Sequence, residues 1–187
     1  MKQLFVIASA FILLSSCNQT ATTATSDNKD TATTTAMSRS QNISIPYTPM
    51  YSTDFDFGDY KYAQIVFNLW KHYDDNDFNA VDSVFADTVS MDFPNGGTIY
   101  GKDSLNNAIK KFRGFVASAK SNVITYVVLK PKHEDETWVT VWGNEIDKYK
   151  DNTTDTTWMN ENWKFNKDGK VAYISQYALG KGLIAKK

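Results

Sequence analysis

The sequence contains a single cysteine, Cys17, and only two histidines in 187 residues. One cysteine cannot form a disulfide within the chain, so a disulfide-stabilised fold is excluded. The histidines, His72 and His133, do not stand in a spacing typical of metal ligands, and we therefore predict neither a metal nor a cofactor. The sequence also lacks a glycine-rich phosphate loop and a serine-nucleophile motif, which argues against two common classes of enzyme.

Neither positive nor negative charge is in large excess. Twenty Lys and Arg side chains are matched by 21 Asp and Glu side chains, which gives a formal net charge of −1 at pH 7. A protein that binds nucleic acid usually carries a basic patch or stripe, and none is visible along this chain. The composition therefore predicts that nucleic acid is not a partner.

The apolar run at residues 4–14 is shorter than the roughly 20 residues that a transmembrane helix requires. It follows Lys2 and ends in small residues, as the core of a signal peptide does. The motif Leu14-Ser15-Ser16-Cys17 resembles the lipobox of bacterial lipoproteins, in which the cysteine thiol takes a diacylglyceryl group. We therefore expect residues 1–16 to be a signal peptide and Cys17 to be the lipidation site, with acyl chains such as palmitate. An ordinary secretory signal with a chance cysteine is the alternative.

A threonine-rich segment follows the cysteine, with eight threonines between Thr20 and Thr35. It has no helical or strand periodicity and almost no large apolar side chain to bury, so ordering it would not be offset by burial. Residues 17–45 are accordingly predicted to be a disordered tether, and residues 54–187 the folded domain. The expected location is the bacterial cell envelope, outside the cytoplasm, with lipid holding the chain on a membrane and the outer membrane favoured over the inner.

Aromatic residues are abundant, with 5 Trp, 10 Tyr and 11 Phe, and most follow residue 47. Apolar residues at spacings of three and four predict a helix over residues 60–73 and another over residues 101–117. A short helix is expected between them, over residues 78–85. Alternating apolar patterns and turn signals predict strands, which cover residues 89–93, 123–129, 137–146, 158–165 and 171–178. Helices first and antiparallel strands last give an α+β domain.

Several short motifs occur in a particular order. They are Val84-Phe85-Ala86-Asp87-Thr88-Val89, Pro94-Asn95-Gly96, Gly101-Lys102-Asp103-Ser104-Leu105 and the stretch from Asn162 to Val171. Together they resemble the nuclear transport factor 2-like (NTF2-like) superfamily, especially its SnoaL-like members, over residues 59–179. The resemblance implies a cone in which three N-terminal helices pack on a strongly curved, mainly antiparallel sheet around a cavity. It also implies a homodimer through the outer face of the sheet.

The resemblance does not supply a function, because the superfamily includes isomerases, cyclases, dehydratases and proteins that only associate. A steroid-isomerase-like site would need an aspartate where this chain has Phe93 and a tyrosine where it has Leu69, so that reaction is disfavoured. Glu161 alone matches, in the place of the second acid. A carboxyl group among aromatic side chains would have a raised pKa and is a candidate acid or base. The alternative is a hydrogen-bonded structural glutamate.

Aromatic side chains around Glu161 suggest a pocket for a flat or sugar-like ligand. The candidate ligand-binding residues are Trp70, Tyr73, Trp142, Glu161, Trp163 and Phe165. Each aromatic residue alone is better explained by core packing, and the inward face of residues 137–146 is left open, so Trp142 has two possible positions. We therefore predict a protein that binds a small, largely apolar ligand, without established catalysis. The first alternative is an isomerase-, cyclase- or dehydratase-type enzyme that uses Glu161. The second alternative is a module for protein interaction or dimerisation.

Overall fold

The computed structural model describes Ser44, residues 46–79 and residues 81–179. The fold lies in the unit of the chain that begins at Pro46. The expected signal peptide, the lipidation of Cys17 and almost all of the tether lie outside the described residues. Within the described ranges, none of the helices combines the length and the apolar character needed to cross a membrane.

A seven-stranded sheet forms one layer of the domain, with the strand order β1-β4-β5-β6-β7-β2-β3. All neighbouring strands are antiparallel except β2 and β7, which are parallel, so the sheet is mainly antiparallel as predicted. The strands are β1 (Phe55–Phe57), β2 (Phe85–Asp92), β3 (Thr98–Tyr100), β4 (Val116–Pro131), β5 (Thr137–Tyr149), β6 (Thr154–Phe165) and β7 (Val171–Leu179).

Two helices pack against the concave face of the curved sheet. Helix α1 (Lys61–Asp75) buries Ala63, Val66 and Trp70, which lie three and four residues apart on one face. The helix ends at Asn76, which adopts a left-handed conformation with φ 55°. The N–H groups of Asn76 and Asp77 then donate to the carbonyls of Tyr73 and His72, which satisfies the carbonyl groups of the last turn.

Helix α2 (Lys102–Arg113) follows β3 and buries Leu105 and Arg113. The prediction that this helix reaches residue 117 is wrong. It ends at Gly114, and Val116 already belongs to β4, which extends to Pro131. Strand β4 is therefore more than twice as long as the predicted strand over residues 123–129. The first half of the strand was missed because its exposed polar residues give little apolar signal.

The predicted set of three N-terminal helices is corrected to two, because the expected helix over residues 78–85 does not form among the described residues. A single 3₁₀ turn, Asp82–Val84, occupies this segment, and Phe85 begins β2 by pairing with Val171 of β7. The segment is too short to offset the cost of helix nucleation by itself. The Asp82 carboxylate instead accepts a hydrogen bond from Asn106 of α2 at 2.6 Å.

Extra residues in β2, β4 and β7 interrupt regular pairing and bend the sheet around the helices. The core lies between the concave face and the two helices. Its fully buried side chains include Val66, Leu105, Val139, Val141, Phe165, Val171 and Ile174. Inward-facing positions of β5 and β6 below the C-terminal half of α1 carry polar side chains, and the candidate site is found there.

Candidate functional site

Glu161 occupies the centre of the concave face and retains only 4% of its accessible surface. Three side chains donate hydrogen bonds to its carboxylate. Trp70 Nε1 and Trp163 Nε1 both donate to Oε2, at 2.7 and 3.0 Å, and Gln176 Nε2 donates to Oε1 at 2.7 Å. Helix α1 and strands β6 and β7 therefore meet at this carboxylate.

Burial raises the pKa of Glu161, and the hydrogen bonds from Gln176, Trp70 and Trp163 act in the opposite direction. Both oxygens already accept donors from the protein. A ligand proton or hydroxyl group would reach the carboxylate only after one of these bonds opened. The geometry thus gives Glu161 a positioning role that ties α1 to the sheet, whether or not the interior also binds a ligand.

A second polar cluster lies farther along β5, at the end of the concave face. Glu145 and Asp147 alternate with outward-facing residues and continue the inward row of Val139, Val141 and Gly143. Asp147 is 5% exposed and Glu145 is partly buried. We refer to Glu145 and Asp147 as the carboxyl pair. Strands β5 and β6 continue their pairing beyond the last residue of β7, so the pair lies where the sheet narrows.

Each carboxyl group of the pair affects the ionisation of the other. Burial and the neighbouring Asp147 raise the pKa of Glu145 to about 9. Burial also raises the pKa of Asp147, although the contact with Glu145 and the positive charge of Arg113 oppose that shift. At neutral pH Glu145 therefore keeps its proton and is the acid of the pair.

Arg113 supplies the positive charge next to the carboxyl pair. It is buried, and its guanidinium donates to the backbone carbonyls of Tyr73 at 2.8 Å, Asp74 at 3.1 Å and Val116 at 2.7 Å. These bonds cap the C-terminal end of α1, where carbonyl groups lack helical partners. Arg113 therefore fixes the position of Tyr73, whose ring lies 5.7 Å from the guanidinium carbon.

Tyr73 and Asp147 each present an unpaired polar atom inside the domain. Among the described residues, the Tyr73 hydroxyl and Asp147 Oδ1 are the buried side-chain polar atoms without a hydrogen-bond partner. Burial and the nearby charge of Glu145 raise the pKa of Tyr73, so its hydroxyl remains a neutral donor. Most buried polar groups in proteins are paired, and each exception requires an explanation.

The structure brings some of the predicted ligand-binding residues together and separates others. Trp70, Glu161 and Trp163 form one hydrogen-bonded group. Tyr73 lies one turn after Trp70, beside the carboxyl pair. Phe165 is fully buried and packs against the ring of Tyr62 at 4.8 Å. Trp142 lies on the opposite face of the sheet and is 41% exposed.

Sequence reasoning missed the carboxyl pair and Arg113. The signal for the pair is the alternation in β5, because Val139, Val141 and Gly143 share one face and two further steps along that face reach Glu145 and Asp147. Acidic side chains on a buried face contradict the usual exposure of such residues, and this contradiction marks a candidate site. Across residues 46–79 and 81–179, no group of three or more potential ligands is placed to hold a metal ion.

Comparison with known proteins finds matches in structure alone. No protein family matches the sequence, and no curated protein matches it either. A candidate scytalone dehydratase from Novosphingobium aromaticivorans superposes with a TM-score of 0.57 at 13% identity, covering 66% of this chain and 86% of that one. An NTF2-like protein of unknown function from Exiguobacterium gives 0.51 at 18% identity and covers 63% and 98% of the two chains.

A candidate SnoaL-like polyketide cyclase from Shewanella denitrificans gives a TM-score of 0.54 at 9% identity, covering 64% of this chain and 90% of that protein. The fold is NTF2-like. Identities this low establish the architecture and leave the chemistry to the side chains. The NTF2-like fold is compatible with a ligand-binding protein or an enzyme, and in this chain its concave face carries two polar groups of different character, the saturated Glu161 and the incompletely paired cluster around Asp147.

Proposed function

We propose that this chain is a lipid-anchored protein of the bacterial cell envelope whose NTF2-like domain binds a small, largely apolar ligand on its concave face. The proposed anchor is the lipid on Cys17, supported by the lipobox-like motif that ends there. The proposed ligand site is the carboxyl pair together with Tyr73. The observation that carries this site is the pair of buried, unpartnered atoms, the Tyr73 hydroxyl and Asp147 Oδ1.

An unpaired polar group inside a protein costs about 1–3 kcal/mol relative to a paired one. Two such atoms, the Tyr73 hydroxyl and Asp147 Oδ1, make the unliganded domain less stable than its contacts allow. A ligand that pairs with both recovers this energy on binding. The Tyr73 hydroxyl is a donor without an acceptor, and Asp147 Oδ1 is an acceptor without a donor, so a ligand with one of each would pair both atoms.

The chemistry of the site restricts the ligand. Tyr73 is a neutral donor and suits a carbonyl or hydroxyl oxygen, whereas Asp147 Oδ1 suits a hydroxyl donor. The buried negative charge disfavours an anionic ligand. A largely apolar molecule with one hydroxyl or carbonyl group therefore fits best, in agreement with the usual pattern of apolar pockets that contain a few polar groups.

The test is a thermal-shift screen of the full chain against aromatic ketones, polycyclic phenols and long-chain alcohols. A ligand at 100 times its dissociation constant should stabilise the folded state by about 2.7 kcal/mol. Tyr73→Phe removes only the hydroxyl group, so it should weaken ligand binding about tenfold. Without ligand the same variant should be slightly more stable than the wild type, because an unpaired buried hydroxyl group is gone.

Tyr100→Phe is the matched control, since Tyr100 is exposed and lies on β3 away from the concave face. It should change neither stability nor binding. The proposal fails if no compound in these classes shifts the transition, or if Tyr73→Phe binds the best compound as tightly as Tyr100→Phe does.

A second candidate function is an enzyme that transfers protons at the same site. The raised pKa of Glu145 favours it, because a carboxylic acid that keeps its proton at pH 7 is a competent general acid. Glu145→Gln would then abolish turnover of a bound compound while retaining its binding. An acid–base role for Glu161 is less favoured, because both of its carboxylate oxygens already accept hydrogen bonds from the protein.

A further inference from the structure

The outer face of the sheet carries an extended area without charge. Three consecutive cross-strand rows run over β4, β5, β6 and β7, and in each row directly opposed residues point outward together. The rows are Val127-Thr140-Asn162-Ser175, Thr125-Trp142-Asn160-Tyr177 and Asn122-Asn144-Trp158-Leu179. All twelve side chains are uncharged, in a sequence in which 22% of the residues are charged. We call this area the amide–aromatic face.

Large aromatic rings stand exposed on this face. Trp142, Trp158 and Tyr177 retain 41%, 53% and 63% of their accessible surface. They surround Asn160, which lies directly opposite Trp142 on one side and Tyr177 on the other. A groove of about 360 Å³ runs between them and reaches Ile124 and Leu179. Burying three such rings is a substantial source of binding energy for whatever covers them.

Amide and hydroxyl groups are arranged beside the rings. Asn162 Nδ2 donates to Ser175 Oγ at 3.2 Å, Thr140 Oγ1 donates to Asn162 Oδ1 at 2.9 Å, and Asn122 Nδ2 donates to Asn144 Oδ1 at 2.9 Å. These bonds hold the amides in place along the strands. Each carboxamide has two N–H groups and an oxygen with two lone pairs, so donors and acceptors remain for an external partner.

Charged residues mark the border of the amide–aromatic face. Lys164 and Asp92 lie next to its outermost row.

We propose that the amide–aromatic face is a binding site for a neutral oligosaccharide. Sugar rings have an apolar C–H side that stacks on tryptophan and tyrosine, and a rim of hydroxyl groups that donate to and accept from carboxamides. The absence of charge across the three rows matches a neutral ligand and gives no attraction to phosphate groups. This site lies on the opposite side of the sheet from the proposed concave site, so the two proposals stand or fall separately.

The test uses the full chain in a detergent without a sugar headgroup, titrated with cellotriose, maltotriose and chitotriose. Intrinsic tryptophan fluorescence and isothermal titration calorimetry report binding. At least one trisaccharide should give a saturable change, because Trp142 and Trp158 are both exposed. Trp158→Ala and Asn160→Ala should each lower the affinity about tenfold. Tyr100→Ala, which removes an exposed ring outside the face, should leave the affinity unchanged.

Two outcomes overturn the proposal. One is the absence of saturable binding for all three trisaccharides, with the fold of the chain verified by circular dichroism. The other is a dimer, seen by light scattering, that dissociates in the Trp158→Ala variant while no trisaccharide binds. That second result would identify a second copy of the chain as the occupant of the face. Using Asn160→Ala alongside Trp158→Ala guards against a variant that loses binding only because it fails to fold.

Discussion

Glu161 and Glu145 show how surroundings divide the roles of two acidic side chains on the same face of the sheet. Glu161 is paired with three donors and is the more deeply buried of the two. Glu145 has another carboxyl group as its neighbour, and burial together with this neighbour raises its pKa. A carboxylate with a full set of donors serves structure, whereas a carboxyl group held in its protonated form has a proton to give.

The carboxyl pair should make stability depend on pH. The pKa of Glu145 is raised from 4.5 to about 9, so the folded state binds this proton more tightly than the unfolded state does. The associated stabilisation is fully present below about pH 4.5 and is lost as the pH rises toward 9. The melting temperature of the wild type should therefore fall between pH 5 and pH 9.

Glu145→Gln replaces the acid with an amide that can donate to Asp147 at every pH, so this variant should show a flatter dependence of melting temperature on pH. Glu134→Gln is the control, because Glu134 is an exposed residue outside the carboxyl pair. Equal slopes for Glu145→Gln and the wild type across pH 5 to 9 would contradict the assignment of a retained proton to Glu145.

Among helices and strands, those with strong apolar periodicity were predicted reliably from the sequence, whereas short ones were not. Helix α1 and strands β5, β6 and β7 were predicted to within a few residues because each presents a continuous apolar face. The three-residue strands β1 and β3 were not predicted. Strand β1 forms by pairing with β4, which is remote in sequence, and β3 forms by pairing with the irregular strand β2. Neither pairing can be recognised from the local sequence.

The same distinction applies to the candidate site. Glu161 was singled out because the family resemblance placed it at the second acid, but Trp142 remained ambiguous until the pairing of Trp142 with Asn160 fixed its face. Arg113 carried no signal, since basic residues in the last turn of a helix are usually solvated. Its burial follows from the way the C-terminal ends of α1 and α2 meet, which no local pattern records.

The centre of the concave face depends on the close packing of Trp70 and β4 against Gly143. A Cβ atom there would lie 2.6 Å from the backbone oxygen of Asn122 and 2.8 Å from Cη2 of Trp70. Gly143→Ala should therefore force Trp70 away from Glu161 and destabilise the domain by about 1–3 kcal/mol. Urea unfolding measures the loss, and tryptophan emission reports the altered indole environment.

Gly97→Ala provides the comparison for that variant, because the nearest atom to its new Cβ is the Asn95 side-chain oxygen at 3.1 Å, in an exposed turn. It should change the unfolding midpoint much less than Gly143→Ala does. If the free energy of unfolding were the same for Gly143→Ala and Gly97→Ala, Trp70 and β4 would adjust at little cost. The tight packing at Gly143 would then not be what positions Trp70.

At the scale of the whole molecule, the two faces of one sheet offer separate chemistry. The concave face combines an aromatic core with the carboxyl pair, and the outer face presents uncharged rings and amides. The NTF2-like fold accommodates both because the inward and outward residues of each strand vary independently. A lipid anchor would add a third property, since it would hold both sites near a membrane without requiring either site to contact lipid.

The proposed anchor gives a prediction for the intact chain. Several acyl chains on Cys17 should hold the protein on the membrane, because each buried methylene contributes about 0.8 kcal/mol. Cys17→Ser should therefore move the protein from the membrane pellet to the soluble fraction, and it should abolish incorporation of radiolabelled palmitate. The readout is unambiguous because Cys17 is the only cysteine.

Thr20→Ala serves as the control and should remain in the pellet. Wild-type protein that takes up no label, or Cys17→Ser protein that stays in the pellet as completely as Thr20→Ala does, would show that the chain is not held by lipid at this position.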